Sequence, residues 1–174
     1  MIYACFERVR RYLLFVLPPG LALDSPHIRI TDRYIPDTRL RLRQMEDEQG
    51  NITALKLTQK YDPPTGIGLE TIITNLYLNE AEYQTLACLQ GKLLIKRRYP
   101  YPFAGRTYSL DVFEGALEGL ILCEIEFDEH TVSQPMNIPP FAVREVTDEP
   151  FFTGGSLIHL TYADIQTHER STAH

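Results

Sequence analysis

Cysteine is scarce in this chain. The three present, Cys5, Cys88 and Cys123, lie far apart and form no paired metal-ligand spacing. That argues against a disulfide framework and fits reduced thiols in a cytosolic compartment. Long apolar runs are also missing. None reaches the ~20 residues of a membrane span, and charges interrupt the opening MIYACFERVRRYLL, which makes it a poor secretory signal. Positive charge is not in excess: the formal net charge is −6. A general affinity for nucleic acid or for an anionic membrane is therefore not expected. His27, His130, His159 and His168 show no spacing that suggests zinc. What is present, 44% hydrophobic and 23% charged residues over 174 positions, is the composition of one soluble domain spanning 1–174.

Alternation runs through most of the chain. YACFERVRRYLLF at 3–15 reads as one long strand, broken by LPPGLALDSP. HIRITDRYI, TRLRLRQM and ITALKLTQKY follow as strands, the last two around a polar hairpin tip with Gly50. LETIITNLYL at 69–78 is a further strand. The period then changes over 79–91, with Asn79 as N-cap, Glu82 at the third helical position and Gly91 as terminator. Three more strands are expected in GKLLIKRRYPY, RTYSLDVFEG and GLILCEIEFDE, with a turn at PFAG. REVT is a short extended piece, GGSLIHLTYADIQ a C-terminal helix and THERSTAH a frayed end. Some eight strands with a recurring polar face predict a mainly β chain, an eight-stranded antiparallel closed barrel with a few flanking helices. A sandwich is the alternative.

The polar face is the unusual feature. Period two puts Arg39, Arg41 and Arg43 on one side of a strand, opposite Leu40 and Leu42. Lys56, Thr58 and Lys60 share a face, as do Lys96 and Arg98, Glu7 and Arg11, and Glu124 and Glu126; Asp111 joins this set. Cations converging from several strands need an anion of several charges, and phosphate chains meet that need. Carboxylates two apart on one face either raise each other's pKa or share a cation, and oxygen ligation beside phosphates favours Mg²⁺ or Mn²⁺. Periodicity alone leaves two readings open, a phosphate tunnel and a salt-bridged barrel interior. Leu40, Leu42, Leu55, Leu57, Leu93, Ile95, Val112, Ile125 and Phe127 lie opposite the polar faces. They are expected to pack outward against the 79–90 helix and the C-terminal segment.

The order of several segments resembles the CYTH superfamily, the triphosphate tunnel metalloenzymes. The matching pieces are YIPDTRLRLR ending at Arg43, LTQK (57–60), IKRRY (95–99), YSLDVFEG (108–115), GLILCEIEF (119–127) and EVTDEPFFTGGSL (145–157). The resemblance implies a triphosphate held by Arg11, Arg41, Arg43, Lys56, Lys60, Lys96 and Arg98. It implies metal at Glu7, Asp111, Glu124 and Glu126, and Tyr34 and Lys60 in catalysis, with Tyr34 bonding Lys60 or positioning water. The implied activity is metal-assisted hydrolysis of inorganic triphosphate or a small organic triphosphate. A possible homodimer is implied as well.

The chain departs from the family pattern in places. The Glu-x-Glu-x-Lys signature stands here as Glu7-Arg8-Val9-Arg10-Arg11, with Val9 in place of the middle carboxylate. LETIITN offers Glu70, Ile72 and Thr74 where an Arg-x-Glu-x-Glu run is common, and Ser109 stands where an acid often precedes Asp111. A non-catalytic binder of polyphosphate or nucleotide is therefore the alternative function. Adenylate cyclase is disfavoured, because no base-recognition pocket is identifiable.

Overall fold

The computed structural model describes residues 4–61, 70–127 and 136–172. Its elements are β1 (Ala4–Leu14), β2 (Ile28–Tyr34), β3 (Leu40–Glu46), β4 (Ile52–Tyr61), β5 (Glu70–Tyr77), α1 (Glu80–Ala87), β6 (Lys92–Phe103), β7 (Arg106–Phe113), β8 (Ile121–Glu126), β9 (Arg144–Glu145), α2 (Gly154–Leu157) and α3 (Tyr162–Thr172). The sheet runs β5-β4-β3-β2-β6-β7-β8-β1, and β1 pairs back onto β5, so eight antiparallel strands close into a barrel. β1 closes it by pairing with β8 along Val9–Leu14 and with β5 along Ala4–Arg8. The edge that β5 leaves is taken by β9, at Tyr12 and Leu13. Closure removes the sheet edges and gives every strand an inner and an outer face.

Local chemistry explains the turns. Ala104 and Gly105 both have positive φ, 49° and 75°, between the paired Phe103 and Arg106, as a tight two-residue hairpin requires. At α1 the Asn79 side chain accepts from the Glu82 N–H, and the Glu82 carboxylate accepts from the Asn79 N–H. The helix ends at Cys88, not Gly91. Gly91 is instead needed for close approach: a Cβ there would stand 2.6 Å from the Tyr34 carbonyl oxygen.

The core differs from the sequence expectation. α1 buries none of its own residues, although it lies against β3 and β4, where Leu42 and Leu55 are buried. Val112, Ile125 and Phe127 pack outside the barrel with Tyr12, Leu110 and Cys123, under Leu17, Leu21, Met136 and Phe141. Leu93 is half-exposed. The C-terminal segment does not cover the outer face. Leu13, Leu94, Phe113 and Leu122 share the inner faces of their strands with Arg11, Lys96, Asp111 and Glu124. These four pack with Val146, Phe152, Leu157 and Ile165, so the C-terminal segment plugs one end of the barrel.

The single C-terminal helix expected over 154–166 is two helices, broken between Leu157 and Tyr162. α3 continues through Thr172, into the stretch expected to fray. The first residue of the strand expected over 69–78, and His130, fall outside the described residues.

Gly154 makes the plug possible. A Cβ at this position would lie 1.9 Å from the Tyr34 hydroxyl oxygen, which sits on a rigid ring. Gly154→Ala is expected to cost about 1–3 kcal/mol through overpacking. A thermal melt measures it, and an unchanged Tm would show that the plug is not seated against Tyr34.

Candidate functional site

Continuous register from strand to strand fixes which side chains meet inside the barrel. Asp32 pairs with Arg43, Tyr34 with Arg41, Arg41 with Thr58 and Arg43 with Lys56. Arg98 pairs with Asp111, Ser109 with Glu124, and Glu124 with Arg11. Glu126 stands opposite Val9. The sequence-named cations Arg11, Arg41, Arg43, Lys56, Lys60, Lys96 and Arg98 therefore share the inner face, as do Glu7, Asp111, Glu124 and Glu126. Arg39 does not belong with Arg41 and Arg43: it precedes β3, is exposed, and lies over the Tyr61 ring. β5 turns Thr71, Ile73, Asn75 and Tyr77 inward, so Ile72 and Thr74, which stand where the family pattern has acids, lie on the outer face.

Ion pairs link these groups around the lumen. Arg43 clasps Asp32 with two hydrogen bonds of 2.6 and 2.7 Å, and the Arg41 Nε lies 3.5 Å from the same carboxylate. Arg98 donates to Asp111 at 2.6 and 2.7 Å and to Glu124 at 2.6 Å; Lys96 also donates to Asp111. Arg11 donates to Glu124 at 3.0 and 2.8 Å and to the Phe152 carbonyl in the plug at 3.3 Å. Lys60 donates to Glu7. Lys56 lies over the Tyr77 ring, 4.9 Å from its centre. Of the two readings that periodicity leaves open, the salt-bridged barrel interior is the one these ion pairs form.

Asp32 was not singled out from the sequence. Its signal was there: in HIRITDRYI it shares a face with Ile30 and Tyr34, an acid in an apolar row. It is buried, and burial alone would raise its pKa. The charge of Arg41, then the hydrogen bonds and charge of Arg43, outweigh that and hold it at about 2. A depressed carboxylate contributes stability above its unfolded pKa and loses it as pH falls toward the folded value. Asp32 should therefore contribute about 2 kcal/mol at neutral pH, lost between about pH 4 and pH 2. Asp32→Asn is expected to be less stable than the unaltered chain at pH 7, with the gap narrowing across that window. Parallel denaturant melts at the two pH values measure this; a pH-independent gap would contradict it.

The remaining groups follow the same competition. Burial pushes the Lys96 ammonium down to about 8, against the pull of Asp111. Burial also lowers Lys60, against Glu7. Glu124 is held well below the usual carboxylate range: burial would raise it, but Arg11, Arg98 and Lys96 prevail. Tyr34 is raised by burial and faces Arg41; a Tyr34–Lys60 hydrogen bond is not formed. The Arg41 Nε is buried and has no hydrogen-bond partner among the described residues, although the guanidinium lies beside Asp32 and the Tyr34 hydroxyl.

Among the described residues no three His, Cys, Asp or Glu side chains stand together as a metal cage. Carboxylate oxygens suit Mg²⁺ or Mn²⁺, and Mg²⁺ commonly takes one or two carboxylates together with substrate phosphates and water. Exposed Glu126, with Glu124 on the same face and Glu7 on β1, fits an ion shared in that way. Asp111, clasped by Arg98 and Lys96 and only 1% exposed, is less accessible to an ion than Glu124 or Glu7. A separate apolar groove of about 410 Å³ between Phe15, Gly119 and α3 lies at the plugged end and contains none of the lumen cations. No described helix is long and apolar enough to cross a membrane.

No family model matches the chain. A curated inorganic triphosphatase from Acetivibrio thermocellus is 28% identical over 137 residues, 75% of this chain and 78% of that protein. Two crystal structures of the protein NE1496 align with it. One, described as a hypothetical protein, has a TM-score of 0.57 and 25% identity over 89% of this chain and 99% of the other. The other, described as an inorganic triphosphatase, has a TM-score of 0.55 and 24% identity over 87% and 93%. The chain thus has the closed eight-stranded antiparallel barrel of the triphosphate tunnel fold.

Proposed function

We propose that the chain hydrolyses inorganic triphosphate or a small organic triphosphate within its barrel, with Mg²⁺ or Mn²⁺. The observation that carries this reading is the lumen's charge. The seven cations named above outnumber the five inward carboxylates (Glu7, Asp32, Asp111, Glu124 and Glu126), and Lys92, at the plugged end of the same face, adds an eighth positive group inside an acidic protein. The similarity to a curated inorganic triphosphatase supports it.

Arg41, Arg43 and Arg98 present planar forks that match phosphate oxygens, and Arg11, Lys56, Lys60 and Lys96 add charge. Their partners Asp32, Asp111 and Glu124 fix them before substrate arrives, so little reorganisation is left for the transition state. A water oxygen bonds to the terminal phosphorus as the bridging P–O bond breaks, releasing orthophosphate and diphosphate. The Lys60 ammonium orients that water, whose proton passes to a phosphate oxygen of the departing diphosphate, while Tyr34 walls the site beside Arg41. A bound Mg²⁺ or Mn²⁺, held by Glu124, Glu126 and Glu7, would neutralise charge on the transferred group.

Val9 favours a second reading, a phosphate-chain binder without turnover, because it leaves an apolar side chain opposite Glu126. Orthophosphate release from triphosphate with either metal separates the two. Release is the expected result, and tight binding with no turnover under both metals would leave only the binder.

A further inference from the structure

We infer that the lumen takes up no divalent cation by itself and acquires one only when a phosphate chain is in place. This rests on the lumen being the triphosphate site. Four of its five carboxylates already accept from a cation: Glu7 from Lys60, Asp32 from Arg43, Asp111 from Lys96 and Arg98, and Glu124 from Arg11 and Arg98. The fifth, Glu126, is exposed and faces the apolar Val9 across the β1–β8 ladder. A bare ion needing several oxygen ligands would have to pull carboxylates from these pairs. That would strand buried Arg and Lys side chains without counter-charge, a heavy penalty. It would also enter a space where positive charge already predominates.

A triphosphate reverses both terms. It brings about four negative charges near neutral pH. Its oxygens give Arg11, Arg98 and Lys60 new acceptors, so Glu124 and Glu7 can turn to an ion alongside Glu126. Phosphate oxygens and water complete the ion's shell. Because linkage is reciprocal, the ion tightens triphosphate binding by the same factor that triphosphate tightens ion binding. The lumen then responds to metal–triphosphate, not to free metal.

Equilibrium dialysis of the full chain against Mn²⁺ tests this, with and without imidotriphosphate, which resists cleavage between phosphorus atoms. Mn²⁺ and phosphorus are both counted on the protein side, and a third arm uses imidotriphosphate with a metal chelator. The expected result is no Mn²⁺ retained alone, imidotriphosphate retained in the chelator, and retention of both tightened about tenfold or more when they are together. Stoichiometric Mn²⁺ on the ligand-free chain would overturn the inference and leave the triphosphate site intact. Imidotriphosphate retained with no Mn²⁺ in any arm would also overturn it. Failure to retain imidotriphosphate in every arm would instead sink the site itself. Val9→Glu places a carboxylate beside Glu126 and is expected to retain Mn²⁺ without the analogue. If the folded variant behaves as the unaltered chain does, the apolar gap at Val9 is not what excludes the bare ion.

Discussion

Arg41→Ala is expected to lower kcat/KM for triphosphate hydrolysis by about 10²-fold or more while costing the fold only about 1–2 kcal/mol. Two charge-assisted bonds from one fork to phosphate, at about 1.5–3 kcal/mol each, set that scale. The small stability change follows from the pairing of Asp32. Its two short bonds go to Arg43, whereas the Arg41 Nε stands 3.5 Å away without a hydrogen-bond partner. Removing Arg41 leaves Asp32 its two Arg43 bonds but takes away the charge that does most to hold it ionised, so a loss of about 1–2 kcal/mol is expected. Arg41→Lys keeps charge but loses the fork, so its activity should fall between the two. Steady-state phosphate release and a thermal melt on the same preparations check both halves. Full activity in the alanine variant would remove Arg41 from the site.

Asp111→Ala is expected to do the reverse, acting first on stability. Asp111 is 1% exposed and accepts from Arg98 twice and from Lys96 once. Truncation leaves two buried cations facing a void, and breaking one side of such a cluster costs about 3–5 kcal/mol. For a chain of this size that lowers Tm by roughly 10 °C. Lys96, already held down to about 8 by burial with Asp111 beside it, should then lose its proton near neutral pH. The lumen would lose positive charge along with its order, so activity falls as well. A melt within about 1 kcal/mol of the unaltered chain would contradict the description of Asp111 as the clamp on Arg98 and Lys96.

These two residues also show what the sequence could and could not tell. Period two alone put Arg41 and Arg43 on one face and Lys96 and Arg98 on another, and the structure brings those faces together. The number of strands and the turn at Ala104–Gly105 were legible for the same reason, since they depend on local pattern. Partnership was not. Whether Asp111 faces a metal or an arginine depends on register across β6 and β7, and the sequence pattern does not state register. Asp32 carries a local sign, an acid in an apolar row of HIRITDRYI, but its role comes from lying opposite Arg43. Ile72 and Thr74 stand where the family motif has acids, yet the alternation of β5, anchored at Glu7 against Thr71, turns them to the outer face. The break between α2 and α3, and the plug they form with Phe152, are tertiary facts: Gly154 is small because Tyr34 occupies the space its Cβ would need.

A crystal structure of the chain with imidotriphosphate and Mn²⁺ tests the central claim most directly. The account predicts the phosphate chain inside the barrel, its oxygens within hydrogen-bond distance of Arg41, Arg43 and Arg98, with Glu124 turned away from at least one of its present partners. Imidotriphosphate found only on the outer surface, with the lumen ion pairs unchanged at saturation, would contradict it.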